Sequence, residues 1–570
     1  MLNVSRILYC TAFVALCLTA TLPAADPIPV EKRLPPSVLA FVTCPNVTDL
    51  QNRMHDTSFG EMLQDPGFAD FNDDLIKKFE EASEDVEDKI GMPMSDLLAI
   101  MSGEASMAVL RPIGQAPGMV VMLDCGDHDD IVNQLLAKTD AELTKQEAVK
   151  EVEDIDGTNI TIYTIPPQNG RGTGLTVAYF LKDHTLAIGS SLAVLETILE
   201  RWDGSDPNCF AENEHYKAML SQCITDPEAK PVLKWFVTPI ELIMAGLSLS
   251  PETQMYAGIG SAYLPTLGLN RLKAIGGTTE LATDEYDHLT KTVVITNPPA
   301  SGLIKVFQFP DTLTTPPNWV PADAAQYMAM HWDIDGAYHA IGAIYDTFQG
   351  TPGAWEQFID AISQQPGGPG LHLKDDVIDT LTGQVQGYMI IPAGADINAS
   401  DFQPQGIVAI AVTDAVKAQK LLNVLVAEKG DVTSREFKGV TVYEVAGDKT
   451  AAFAVVHNHI FLAENVQRLE SAIIGETANP LAKSPAYQAV AAHMPEKKSM
   501  TSWVDAALQW EAGYEKLRAG AFDNALEGAL DFGKLPPFET LRKYMRPTAS
   551  YMVPTEKGSM TVNFTLRPKR

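Results

Sequence analysis

Residues 149–165, Val-Lys-Glu-Val-Glu-Asp-Ile-Asp-Gly-Thr-Asn-Ile-Thr-Ile-Tyr-Thr-Ile, decide the fold class. Asp156-Gly157 stands between two short runs, Val149–Glu153 and Thr158–Ile165, rich in β-branched side chains. That dipeptide accepts the positive φ angles of a two-residue turn, so the stretch reads as a β-hairpin. Working outward, Thr176–Leu181 and Thr185–Ile188 flank Lys182-Asp183-His184 as a second tight hairpin. Glu104–Leu110 and Met119–Asp124 read as strands joined by a Pro/Gly turn. Val38–Thr43, Val232–Thr238 and Lys291–Ile295 complete the strand set. Helical spacing marks Asp127–Leu143, Leu192–Arg201, Glu212–Ser221 and Leu269–Ala274. Phe68, Phe71, Leu75, Phe79, Ala82 and Val86 form one stripe of a further helix, whose other face carries Asp73, Asp74, Glu80, Glu81, Glu84, Asp85, Glu87 and Asp88 and reads as solvated. Hairpin links of this kind favour an α+β fold, a mostly antiparallel sheet with helices packed on one face. The regular strand–helix alternation of a parallel nucleotide-binding sheet is absent from the sequence.

The same pattern is met twice. Ser102-Gly103 and Ala105–Pro112 match Thr382-Gly383 and Val385–Pro392, Gly118–Met122 matches Gly406–Ile410, and Ile160–Tyr163 matches Val440–Tyr443. His184 falls on His459, Leu195-Glu196 on Leu469-Glu470, Tyr216 on Tyr487, Trp235 on Trp503 and Leu264-Pro265 on Leu535-Pro536. The matches keep their order with a slowly drifting offset, as loop insertions would produce. The reading is therefore two tandem homologous units, 34–304 and 321–566, joined by a Pro-rich linker, 305–320. A chain of 570 residues exceeds one hydrophobic core in any case. Phe307, Phe309 and Trp319 suggest that the linker packs on a domain.

Residues 1–25 read as a signal peptide: Arg6 as the positive end, Ile7–Ala20 as the apolar run, and Leu22-Pro23-Ala24-Ala25 offering cleavage near Ala24 or Ala25. The expected location is exported, periplasmic or extracellular, with no membrane span in the mature chain. The net charge of −31 repels phosphate backbones, which argues against nucleic-acid binding. Four cysteines follow the leader: Cys44, Cys125, Cys209 and Cys223. An even number in an exported chain suggests disulfides, with Cys209–Cys223 as a local pair and Cys44–Cys125 across a sheet. Free buried thiols and a metal site are the other readings, the latter weakened by the lack of a CxxC spacing.

No nucleophile elbow, HExxH zinc motif or phosphate-binding loop occurs in the sequence. Three acidic or histidine clusters invite comparison with sites. His457-Asn458-His459 holds two imidazoles, but at a hairpin tip and short of the three or four ligands zinc takes. Asp124–Asp130 lacks the glycine and glutamate spacing of a calcium loop, and helix capping explains it and its counterpart Thr413–Lys417. Asp333 and Asp335 would make a carboxylate pair, yet Asp333, like Asn46 in the first unit, also suits an N-cap. Tyr163, Tyr443, Tyr216, Tyr487, Trp235 and Trp503 read as core, with a ligand groove as the alternative. No catalytic residue, cofactor or metal is assigned.

The link Phe309-Pro310 to Trp319-Val320-Pro321-Ala322-Asp323, with Asp379-Thr380-Leu381-Thr382-Gly383, resembles an uncharacterised family of large exported bacterial proteins carrying a domain of unknown function. The resemblance implies export and duplication, and no chemistry. Two classes of function follow. The leading one is a non-catalytic envelope or periplasmic binding or scaffold protein, whose partner is an unknown protein or envelope component. The alternative is a ligand carrier or hydrolase-type enzyme with a site in the cleft between the units.

Overall fold

The computed structural model describes residues 28–112, 114–167, 174–365, 370–392, 405–427, 432–445, 451–520 and 530–568. The expected leader, with Cys10 and Cys17, lies outside them. The chain divides into two units. Unit 1 is residues 1–261, 273–295 and 522–535, and unit 2 is 262–272, 296–521 and 536–570.

Unit 1 contains ten strands: β1 (Val38–Cys44), β2 (Ala105–Leu110), β3 (Gly118–Asp124), β4 (Val149–Ile155), β5 (Thr158–Ile165), β6 (Leu175–Lys182), β7 (Thr185–Gly189), β8 (Leu233–Val237), β9 (Leu272–Leu281) and β10 (Tyr286–Thr296). They pair in the order β4-β5-β6-β7-β3-β2-β1-β8-β9-β10, antiparallel at every registered step. Side chains alternate across the pleat. Ala108, Leu110, Val120 and Met122 are buried, while Met107 and Met119, on the opposite face, are exposed. The helices Asp129–Lys145 and Leu192–Leu199 lie where spacing and apolar pattern predict them. Val132 from the first packs with Ile100, Cys125 and Leu186.

Unit 2 also contains ten strands: β11 (Gln326–His331), β12 (Leu381–Ile390), β13 (Gln405–Val412), β14 (Val432–Phe437), β15 (Val440–Val445), β16 (Ala451–Val456), β17 (His459–Ala463), β18 (Met500–Val504), β19 (Thr548–Thr555) and β20 (Gly558–Leu566). Their order is β14-β15-β16-β17-β13-β12-β11-β18-β19-β20, again antiparallel throughout. Gly383 stands at φ +85° where the β12 register shifts, and a Cβ there would lie 1.9 Å from the Trp332 carbonyl oxygen. Only glycine fits that point. Trp319 and Val320 of the Pro-rich stretch are buried in unit 2, whereas Phe307 is exposed.

Four hairpins turn on two residues with positive φ: Asp156-Gly157 and Asp183-His184 in unit 1, Lys438-Gly439 and His457-Asn458 in unit 2. Their backbone twist matches that of the strands they join. One expected helix is corrected. Leu269–Ala274 forms a single 3-10 turn, Leu269–Arg271, and then enters β9. A short apolar run carries no period long enough to separate helix from strand. The acidic helix face is also less uniform than its pattern. Asp74 on helix Ala69–Ile90 is buried and accepts from Lys534 Nζ at 2.6 Å and from the Asp531 amide.

All four cysteines among the described residues are free, buried thiols, which corrects the expected disulfides. Cys44 ends β1 and Cys125 follows β3, with β2 between them, so the two lie at least two strand spacings apart, about 9–10 Å or more. A disulfide needs Cα atoms within roughly 7 Å. Cys209 and Cys223 stand at opposite ends of a segment whose ten-residue helix, Glu214–Cys223, alone rises about 15 Å. Burial pushes the thiols of Cys44, Cys125 and Cys223 up to about 11, which keeps them protonated and unreactive. Alkylation of unreduced, denatured protein, read peptide by peptide, should therefore label Cys44, Cys125, Cys209 and Cys223 in full. A protected pair would contradict this geometry.

Candidate functional site

The clusters singled out in the sequence are each used locally. His457 Nε2 faces the Ile473 carbonyl oxygen at 3.0 Å, and His459 Nδ1 faces the His457 carbonyl at 2.7 Å. Asp124 Oδ1 accepts from the Gly126 amide, and Asp129 Oδ2 pairs with His184 Nδ1 at 3.0 Å. The two matched helix starts differ. Asp414 caps its helix by accepting from Val416 and Lys417, whereas His128 caps Asp129–Lys145 without a side-chain bond. Asp333 accepts from the Gly336 amide as an N-cap, and Asn46 does the same for Asp49. Asp335 turns instead to Lys374, at 3.0 Å, so the two aspartates serve separate partners. Among the described residues no group of three or more His, Cys, Asp or Glu is placed to hold a metal ion.

The repeated aromatics divide. Tyr163, Tyr216, Tyr487 and Trp503 are buried, but Tyr443 and Trp235 are only partly so. Tyr163 Oη donates to Asp140 Oδ1 and Tyr443 Oη to Asn423 Oδ1, each at 2.6 Å, tying a strand to a helix in each unit. Tyr216 packs with Phe41, Phe210 and Phe236 at ring separations of 4.3 to 6.1 Å.

The most unusual chemistry lies in a place that sequence reading passed over. Just ahead of β1, the short helical turn Val30–Arg33 carries Glu31 into the interior of unit 1, where it is 4% exposed. Glu31 Oε1 accepts from Lys234 Nζ at 2.7 Å, on β8, and from Tyr216 Oη at 2.8 Å. Its other oxygen, Oε2, is buried without a partner. Glu104, just ahead of β2, is 8% exposed. It accepts from Thr43 Oγ1 at 2.6 Å, on β1, and from the Val30 amide at 3.1 Å. Arg33 lies over the Trp202 ring at 4.0 Å, and Trp202 Nε1 donates to Asp183. Two carboxylates are thus buried together, and only Glu31 has a cation bonded to it.

Desolvation first, and the negative charge of Glu31 second, push the Glu104 carboxyl up to about 7 from an ordinary 4.5. The Tyr216 phenol is driven far above its usual range by burial and by Glu31. Because folded Glu104 holds its proton more tightly than the unfolded chain does, its contribution is full below about pH 4.5 and is lost as pH rises through about 7. The difference is on the order of 3 kcal/mol. A lone acid ahead of a strand leaves no periodic signal. The one clue was that Glu31, Arg33 and Glu104 sit beside apolar runs destined for the core.

In unit 2 an open depression is lined by Gln405, Asn465, Gln467, Arg468 and Ser471. Arg468 donates through Nε and Nη2 to Gln405 Oε1, and Asn465 caps the helix Val466–Ile474.

Residues 389–518 match the family described as Protein of unknown function (DUF3352). The matched stretch runs from the end of β12 through the helix Ala506–Arg518 and includes the Arg468 depression, but not the Glu31–Glu104 cluster. No curated protein and no solved structure matches the chain. Among the described residues no helix is long and apolar enough to cross a membrane.

Replacing Lys234 by Met should leave Glu31 buried without its cation and cost about 3–5 kcal/mol. The loss is to be read by native-state hydrogen exchange of the β1 and β8 peptides in urea. A loss below about 1 kcal/mol would mean that the ion pair does not hold unit 1 together.

Proposed function

We propose that this chain is an exported, non-catalytic binding or scaffold protein made of two copies of one fold, and that it engages its partner through exposed apolar helical faces. The observation that carries the binding reading is the surface of the helices Pro239–Leu247 and Pro251–Tyr263. There Ile243, Leu249, Met255, Tyr256 and Ile259 are each more than half exposed. Residues 239–261 contain only two charged side chains, Glu241 and Glu252, in a chain of net charge −31. In unit 2 the helices Ile334–Gln349 and Ala354–Ser363 likewise expose Ile341, Phe348, Phe358 and Ile362. Concentrated apolar exposure of this kind marks interaction surfaces.

The identical strand order supports the duplication, and so do contacts that recur at matching places. The Leu34 carbonyl accepts from the Phe210 amide and the Val320 carbonyl from the Leu481 amide, both at 2.8 Å. Asn213 caps the helix that begins before Tyr216, as Ser484 caps the one before Tyr487. Setting the ladders in register refines the equivalences. Phe41 faces Phe236 across β1 and β8, and Tyr327 faces Trp503 across β11 and β18. Phe236, rather than Trp235, is then the counterpart of Trp503. The turn residue His184 likewise corresponds to Asn458, rather than to His459. The apolar run ahead of Ala24-Ala25 supports export.

A photo-crosslinking residue at Met255, compared with one at the exposed Lys77 on the acidic helix, tests the binding reading in the native extract. Discrete adducts from position 255 and none from 77 are expected. Equal yields at the two positions would remove the apolar face as the binding surface.

A further inference from the structure

The two units seat the segment ahead of their first strand by different means. In unit 2 the seat is apolar: Trp319 packs on Tyr388 and Phe461, and Val320 is fully buried. In unit 1 it is ionic. Leu34, equally buried, occupies the place of Val320, but the residues before it are held by the Glu31–Glu104 cluster. The ladder registers place Gln384 opposite the role of Glu104, and Ala329 opposite that of Thr43. The fold therefore takes a neutral side chain at the Glu104 position, and burying a second carboxylate there answers no need of the sheet.

We propose that residues 28–34 form a proton-controlled strap on unit 1, seated while the Glu31–Glu104 pair carries one proton and released when both carboxylates are charged. The hydrogen bonds fit this closely. With a proton on Oε1, Glu104 donates to Thr43 Oγ1, which can turn to the Ala105 carbonyl at 3.4 Å. Oε2 continues to accept from the Val30 amide. Without the proton, two negative groups share a site in which Lys234 is bonded to Glu31 alone, and like charges at short range disfavour joint ionisation.

The other groups facing the pair do not relieve it. Arg33 on the strap is drawn to Glu104, but its guanidinium lies over Trp202 and also answers to Asp183 and Asp124. Tyr216 on the neighbouring helix and Cys44 on β1 are both held neutral by burial. The raised proton affinity of Glu104 puts the transition near neutral pH. Lifting the strap would free the Val30 amide and expose the unpartnered Glu31 oxygen to water.

Hydrogen exchange of the peptide covering residues 28–36, in the full chain at about pH 5.5 and about pH 8.5 and corrected for the intrinsic rate, tests the strap. Its protection is expected to fall at least about tenfold on going to the higher pH, while the peptide around Trp319 and Val320 holds steady. In Glu104→Gln, whose amide can donate to Thr43 and accept from Val30, the strap should stay protected at both. Equal protection of the wild-type strap at the two values, or a Glu104→Gln strap that follows the wild type, overturns the proposal. Should that variant not fold, infrared difference spectra of the wild type over the same range read the protonated carboxyl directly. The proposal requires its loss on going to the higher pH, and its absence at the lower pH refutes it.

Discussion

Each sheet depends on covering the edge of its core just ahead of the first strand. β1 and β11 lie in the middle of their ladders, and the residues leading into them, Leu34 and Val320, are fully buried. A buried backbone must satisfy its own polar groups. Both units do this with one backbone bond to a 3-10 turn, from Phe210 to Leu34 and from Leu481 to Val320. Buried aromatic rings pack together in each unit. Phe41, Phe210, Tyr216 and Phe236 do so in unit 1, and Trp319, Tyr388 and Phe461 in unit 2. Beyond this the two units differ, unit 1 adding buried charge ahead of its first strand and unit 2 placing Trp319 there, tilted on Tyr388 and edge-on to Phe461.

Most of the fold was legible because strands and tight turns leave strong local marks. Asp156-Gly157 announced its hairpin, and β5 lies where the flanking β-branched run places it. The caps Asn46 and Asp333 were readable for the same reason: a short polar side chain before a helical pattern has few other uses. Register was not legible. Phe41 faces Phe236 across β1 and β8, whereas Tyr327 faces Trp503 across β11 and β18, and in a strand one position exchanges the two faces. The disulfides failed because pairing depends on distances through the sheet, and an intervening strand cannot be seen in cysteine spacing.

The Glu31–Glu104 cluster escaped for a different reason. Its members come from a turn before β1, from β1 and β8, from the residue just ahead of β2, and from the helix Glu214–Cys223, so no window of sequence holds more than a fragment. Its meaning comes from burial, which sequence composition does not report. Acidic residues are abundant in this chain, and nearly all read as solvent-facing. Glu31 and Glu104, buried beside each other, concentrate an energetic cost in unit 1. The exposed helical faces show the complementary imbalance, with apolar groups left in water where the chain is otherwise heavily charged.

Both units set the first strand of their ladder between the second and the eighth. Engineered cysteine pairs at Ala40 and Val237 in unit 1 and at Gln326 and Val504 in unit 2, in a background lacking the native thiols, test this arrangement. These positions face each other across β1–β8 and β11–β18. Mild oxidation should close both pairs to similar extents, whereas closure of one pair and not the other would contradict the common fold.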